Sequence, residues 1–199
     1  MNIADKAGTK TRRRILRAAQ ACFAERGFLG TSTREIATAA GTAQGLLRYH
    51  FETKEALWRA VMDAVFAQIG QTYPLDDAAP ELSTREKLDG FISGFIEFSA
   101  REPALFALMT HESWAPSARH EWLLETHVRP YFEATQAAIQ EGQREGVVRN
   151  TDPVLLYYAI IGIVGAAFSY GAEVKILRGA PQIGDREQLQ SLINDLVFI

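Results

Sequence analysis

Residues 31–57 read Thr-Ser-Thr-Arg-Glu-Ile-Ala-Thr-Ala-Ala-Gly-Thr-Ala-Gln-Gly-Leu-Leu-Arg-Tyr-His-Phe-Glu-Thr-Lys-Glu-Ala-Leu. Ser32 followed three positions later by Glu35 is a capping box, in which the hydroxyl accepts from an N–H at the helix start and the carboxylate reaches back. A helix therefore begins at Thr33, with Ile36, Ala37 and Ala40 as a narrow apolar stripe. Gly41 ends it, because a glycine just past the last turn takes the left-handed conformation at no steric cost. Thr42 or Ala43 opens a second helix that buries Leu47 and Phe51, four apart. Thr53 caps a third helix from Lys54. Two short helices around a glycine turn, with a longer one behind them, have the form of a helix-turn-helix.

The residues left facing outward on the second helix are Gln44, Gly45, Leu46, Arg48, Tyr49 and His50. None is acidic, and together they can donate, stack and approach closely. An amide can read adenine, an arginine can read guanine or bind phosphate, and apolar atoms can meet a thymine methyl, so this face suits a major groove. The start of the third helix, with the Lys54 charge, would anchor a phosphate. Charge distribution agrees. The whole chain carries a net −3, but residues 1–60 hold 11 Lys and Arg against 5 Asp and Glu, and the remainder hold 10 against 19. A basic N-terminal unit joined to an acidic remainder fits one part that meets phosphates and another that does not. Lys10, Arg12, Arg13, Arg14 and Arg17, early in the first helix, read either as a solvated face or as an edge contacting the DNA backbone.

Beyond this segment the periodicity is helical throughout, and no stretch alternates with period two long enough for a sheet. The expected class is all-α, about nine helices: a three-helix helix-turn-helix domain over residues 1–56, and a second helical domain over 57–199, to which the family resemblance drawn below assigns effector binding and dimerisation. The first helix is expected from about Thr11 to Arg26, with Ile15, Leu16, Ala19, Cys22 and Phe23 inward and Gly27 as its stop. The helix from Lys54 continues through Leu57, Trp58, Val61, Val65, Phe66 and Ile69 into the acidic part. A loop with Pro74, Asp76, Asp77 and Pro80 precedes a second capping box, Ser83 with Glu86, and a helix to about Arg101. Pro103 starts a short helix ending near His111. After a break at Trp114 to Ser117, one long helix should run from Ala118 to about Arg144, kinked at Pro130. Cys22 is the only cysteine, so no internal disulfide forms, and its spacing makes it a small core residue. The N-terminus has no charged-then-apolar signal pattern, which implies a cytoplasmic protein.

From Pro153 to Ala172 the chain carries no charge. Asp152 as cap and Pro153 at the first helical position open a helix to about Tyr170. Twenty residues would reach across a bilayer, yet Tyr157, Tyr158, Ser169 and Tyr170, small residues at Gly162, Gly165, Ala166 and Ala167, and acidic flanks argue for burial against a second subunit rather than in lipid. A loop with Gly179, Pro181 and Gly184 leads to a last amphipathic helix from Asp185. Residues 152–171 and 185–199 are thus the expected homodimer interface, without a membrane. Four apolar residues end the chain at Ile199, which suggests that the last helix runs on past that point.

The segment Thr33-Arg34-Glu35-Ile36-Ala37 through Ala40-Gly41, with Gly45, Leu47, His50-Phe51 and Lys54-Glu55-Ala56-Leu57, resembles the DNA-binding region of the tetracycline-repressor (TetR) family. The motif covers about residues 11–60. The resemblance implies a three-helix DNA-binding domain, a helical ligand-binding domain, a homodimer formed by the last two helices, and a repressor released from double-stranded operator DNA by a small molecule. It carries base reading onto Gln44, Gly45 and Leu46, and phosphate contact onto Thr33, Tyr49, His50 and Lys54; Arg34 and Arg48 complete the expected DNA-binding set. Two positions depart from the family pattern. Arg48 stands where tyrosine is common, and Ala43 where serine often begins the recognition helix.

The effector itself is not legible. An effector cavity in the acidic domain would use some of its many aromatics as walls, although most should be core. The expected lining is Phe95, Met109, His111, Glu112, Trp114, Trp122, Tyr131 and Tyr158. No metal site and no cofactor are expected. His111, Glu112, His120 and His127 are near in sequence, but His120 and His127 lie seven apart, too far along one helix to chelate an ion unaided, and no cysteine pair supports them. No nucleophile with a base, phosphate loop or carboxylate pair has usable spacing, so no catalytic residue is expected and the chain does not read as an enzyme.

Overall fold

The computed structural model describes residues 3–72, 82–113, 117–180 and 183–199, and side chains from Gly8 onward with Gln71 and Thr72 excepted. The helices are α1 (Ile3–Arg26), α2 (Thr33–Ala39), α3 (Gln44–His50), α4 (Lys54–Thr72), α5 (Thr84–Arg101), α6 (Ala104–Ser113), α7 (Ala118–Leu123), α8 (Arg129–Arg144), α9 (Pro153–Ser169), α10 (Gly171–Arg178) and α11 (Arg186–Val197). The expected loop of Pro74, Asp76, Asp77 and Pro80 lies outside the described residues, as do Trp114 and Pro181. The all-helical class holds: among the described residues the only extended pairing is an isolated antiparallel bridge between Val148 and Phe198. No single helix among them is long and apolar enough to cross a membrane.

The chain divides into two compact units, residues 1–66 with 107–123, and residues 67–106 with 124–199. In the first, α1 packs on α2 and α3, which also pack on each other. Its interior is built from Ile15, Ala19, Cys22 and Phe23 of α1, Ile36 and Ala37 of α2, Leu47 of α3, and Leu57, Trp58, Val61, Met62 and Val65 of α4, all buried. In the second, α9 packs on α5, α8, α10 and α11. Leu156, Tyr157, Ile160 and Val164 of α9 are buried with Leu88, Phe91, Ile92 and Ile96 of α5, Ile139 of α8, and Leu189, Ile193 and Val197 of α11. Burial holds the Tyr157 hydroxyl in its neutral form, with its pKa pushed up to about 12. Gly142 of α8 is required by packing, since a Cβ there would stand 2.5 Å from the Val148 side chain.

Local chemistry sets most boundaries as expected. Both capping boxes form: the Ser32 and Ser83 hydroxyls accept from the N–H of Glu35 and Glu86, whose carboxylates accept in return from the serine backbone. These bonds hold both carboxyls below the ordinary glutamate pKa. The turn at Gly41 is a Schellman motif, in which the Thr42 N–H donates to Ala37 O and the Gly41 N–H to Thr38 O, with Gly41 at φ +59°.

Four boundaries differ from expectation. Helix α1 starts at Ile3, well before Thr11. The long helix expected over 118–144 is divided by a π-helical stretch, Leu124–Val128, directly ahead of Pro130. Proline has no N–H for the i−4 carbonyl, and widening the preceding turn accommodates that loss. The uncharged stretch does not lead straight into a loop: α9 stops at Ser169 and the chain bends by 62° into α10, which has Glu173 in its first turn, Lys175 and Arg178 in its last, and Gly179 as a left-handed cap. Finally, the last helix does not run through Ile199. It ends at Val197, where Phe198 turns extended and buried, Arg149 N–H donates to Val197 O, and Ile199 N–H donates to Val147 O.

Candidate nucleic-acid interface

Helix α3 presents a divided surface. Leu47 is buried against the rest of its unit, while Gln44, Gly45, Leu46, Arg48 and Tyr49 are exposed and His50 is half-buried. Leu46 and Tyr49, at 41% and 82% exposure, are apolar surface that the fold does not use for itself. The Tyr49 and His50 rings meet edge to face at 5.4 Å, which restrains both. Gln44 Nε2 donates to Thr33 Oγ1 at 3.3 Å, so the first residue of the recognition helix is tied to the first residue of α2. Arg34 is exposed on the next position of α2.

Gly45 has no structural reason to be glycine. Its φ is not positive, and a Cβ built on it would meet nothing within 4 Å. The unused space lies on the outer face. Ala43 leaves a different mark. It occupies the cap position of α3 with extended backbone, but offers no side-chain cap bond. Replacing it with serine supplies the missing acceptor, and Ala43→Ser is expected to raise stability by about 1 kcal/mol, read as an upward shift of the unfolding midpoint without a change of denaturant slope.

The arginines in the middle of α1 divide in role. Arg14 Nη2 donates to Gly41 O at 3.2 Å and Arg12 stacks on the Phe51 ring at 5.0 Å, so these two brace the turn and the end of α3. Arg13 and Arg17 are exposed, and among the described residues no ion pair engages them. Lys54 is more committed than the sequence suggests. Its Nζ donates to Phe28 O at 2.8 Å and Thr31 O at 2.9 Å, and lies 4.2 Å from the Phe28 ring centroid. Partial burial, followed by the nearby charge of Arg119, lowers its pKa from the ordinary lysine value. Thr31 is buried below it, its hydroxyl within reach of Cys22 O and Gly27 O. These contacts were beyond sequence reasoning, because the Gly27–Thr31 turn carries no periodic signal.

Two family models match the chain: "Bacterial regulatory proteins, tetR family" over residues 15–61, and "Tetracyclin repressor-like, C-terminal domain" over residues 77–198. The chain belongs to the tetR family. It is a helix-turn-helix transcriptional regulator of that family and not an enzyme. Among its relatives, the transcriptional repressor KstR2 of Mycolicibacterium smegmatis is 30% identical over 152 residues, 74% of this chain and 72% of that protein. The transcriptional repressor NicS of Pseudomonas putida is 26% identical over 168 residues, 82% of this chain and 76% of that protein. Among solved structures, AibR in complex with isovaleryl coenzyme A and operator DNA superimposes with a TM-score of 0.75 at 19% identity, over 94% of this chain and 98% of that one. At that identity the likeness concerns the fold.

The residues expected to line an effector cavity in this tetR-family regulator are divided between the two units. Met109, His111, Glu112 and Trp122 belong to the first unit, Phe95, Tyr131 and Tyr158 to the second. His111 Nε2 lies 3.2 Å from Ala24 O, and its ring sits against Gly27. Glu112 is buried at 2% exposure and ion-paired to Arg119 at 2.8 Å. Trp122 meets Trp58 edge to face at 6.0 Å under the Arg59 guanidinium. In the second unit Phe95 lies between Phe91 and Phe106, and the Phe106 ring closes on Gly165 of α9. Tyr131 is half-buried beside Gly70, and Tyr158 is 59% exposed. A groove of about 500 Å³ at the bend of α9 into α10 is lined by Ala100, Phe168, Gly171, Ile183 and Leu189 among others, none of them among the residues expected to line an effector cavity.

Proposed function

We propose that the chain acts as a homodimer on a two-fold symmetric operator, and that a small molecule bound in the second unit releases it. The observation that carries the DNA half of this reading is the outer face of α3, where Gly45 is open and Leu46, Arg48 and Tyr49 are exposed beside the Gln44–Thr33 pair. Gln44, Gly45 and Leu46 read base edges, while Thr33, Arg34, Tyr49, His50 and Lys54 meet the backbone. Two such helices must stand about 34 Å apart to enter successive major grooves, which requires a dimer.

The dimer half rests on α9 and α11. Leu155 and Leu192 are 61% and 55% exposed, and with Tyr158, Gly162 and Leu196 they leave an uncharged stripe on two helices that pack on each other. Gly162 has open space at its Cβ, so a neighbouring helix can approach closely. An effector held in the second unit, against walls such as Phe95 and Tyr131, would favour a dimer whose recognition helices no longer match the grooves. A coupling of about 1–3 kcal/mol is enough for such release. This would make the protein a ligand-released repressor, in line with the repressors it is related to.

The direct test is a mobility shift with the DNA upstream of its own coding sequence across a range of salt, with and without candidate effectors. Sequence-specific retardation, lifted by a small molecule, supports the reading, while retardation that is indifferent to sequence contradicts it. Within that assay Arg48→Ala is expected to weaken binding roughly tenfold. A phosphate contact would show as a shallower salt dependence, a guanine contact as relaxed preference at one base position. An unchanged affinity would remove Arg48 from the interface.

A further inference from the structure

The Phe28 ring is held between commitments to two cations. Lys54 Nζ lies 4.2 Å from its centroid and the Arg119 guanidinium 3.9 Å from it. Two like charges on one ring repel, so something must keep Arg119 in place. Glu112 does this. The Arg119 Nε and Nη2 donate to Glu112 Oε2 at 2.9 and 2.8 Å, and that carboxylate is almost wholly buried. A buried carboxylate paired with a planar guanidinium fixes the guanidinium in direction as well as in place. Arg119 also lies 5.3 Å from the Trp58 ring. His111 and Glu112 of α6 and Arg119 of α7 therefore clasp the turn after α1, with His111 on Ala24 and Gly27 and Arg119 on Phe28.

The same turn orients Lys54. An ammonium has three donors, and two of these are spent on Phe28 O and Thr31 O. The position of the turn thus decides where the remaining N–H points. We infer that Arg119, held by Glu112, is a positioning residue for the phosphate contact of Lys54: by pressing on Phe28 it fixes the turn and with it the one donor that Lys54 keeps for DNA. The inference rests on the reading of Lys54 as a phosphate contact. It gives Glu112 and Arg119, far from the recognition helix in sequence, a physical hold on DNA affinity.

The test compares Lys54→Met, Arg119→Met and the double variant on the duplex that the wild-type protein selects from a random-sequence pool, with affinity measured against salt. Lys54→Met should weaken binding by roughly ten- to a hundredfold and make the salt dependence shallower by about two units per dimer, one for each phosphate contact. Arg119→Met should lower the salt slope by a similar amount, and the double variant should lose little more than either single one. Arg119→Lys keeps the charge but not the planar stack, so it should also flatten the slope, and it carries the comparison if the methionine variant does not fold. A wild-type slope in Arg119→Lys, or an Arg119→Met loss that adds to that of Lys54→Met with the slope unchanged, would overturn the inference. A wild-type slope in Lys54→Met itself would instead remove Lys54 from the interface, and the inference with it.

Discussion

Leu155→Glu combined with Leu192→Glu is expected to convert the protein into a monomer and to weaken operator binding by about a hundredfold or more. Both side chains are more than half exposed on helices that are otherwise well packed in the second unit, and neither takes part in its buried cluster. A glutamate at each position costs the isolated chain little, because the change is on its surface. In a dimer the same carboxylates would be buried without partners, each at a cost of several kcal/mol. Loss of the dimer removes one of two recognition helices, and with it the linked binding of two half-sites. Sedimentation equilibrium reads the mass and a titration of labelled operator reads the affinity. A double variant that remains dimeric would show that subunits meet elsewhere.

Gly45→Leu separates stability from function most sharply, because the two should move in opposite directions. Glycine inside a helix costs backbone entropy, and leucine there should stabilise α3 by about 0.5–1 kcal/mol. The space for it is open. That same space is where the helix backbone would come closest to the base edges, and a branched side chain should lower operator affinity by about a hundredfold. Thermal unfolding and operator titration of the same sample make the comparison. An unchanged affinity would mean that the outer face of α3 at Gly45 does not meet DNA.

Where the sequence was legible, one local signal sufficed for each feature. Ser32 with Glu35, Gly41, and Leu47 with Phe51 each specify a bond, a backbone region or a burial that needs no distant partner, and each is present in the structure. The outer face of α3 followed by subtraction. What escaped depends on residues distant in sequence or on competing local chemistry. Glu112 reads as a polar group at a helix end, and only the fold brings Arg119 against it and both toward Phe28. Lys54 reads as a free charge, yet two carbonyls of a turn more than twenty residues earlier occupy it. The four apolar residues at the end of the chain read as more helix, whereas Phe198 is drawn away to pair with Val148 under Arg85. Helix α10 was hidden because its exposed Ile176 and Leu177 give no clear buried face.

The exposed face of α3 is expected to read a specific, symmetric DNA site as part of a dimer. Selection of binding sites from a random-sequence duplex pool, followed by hydroxyl-radical footprinting of the winner, tests it most directly. A palindromic site is expected, with protection on two half-sites one helical turn apart or a whole number of turns. Enrichment of no sequence, or a single protected half-site bound by a monomer, would contradict it.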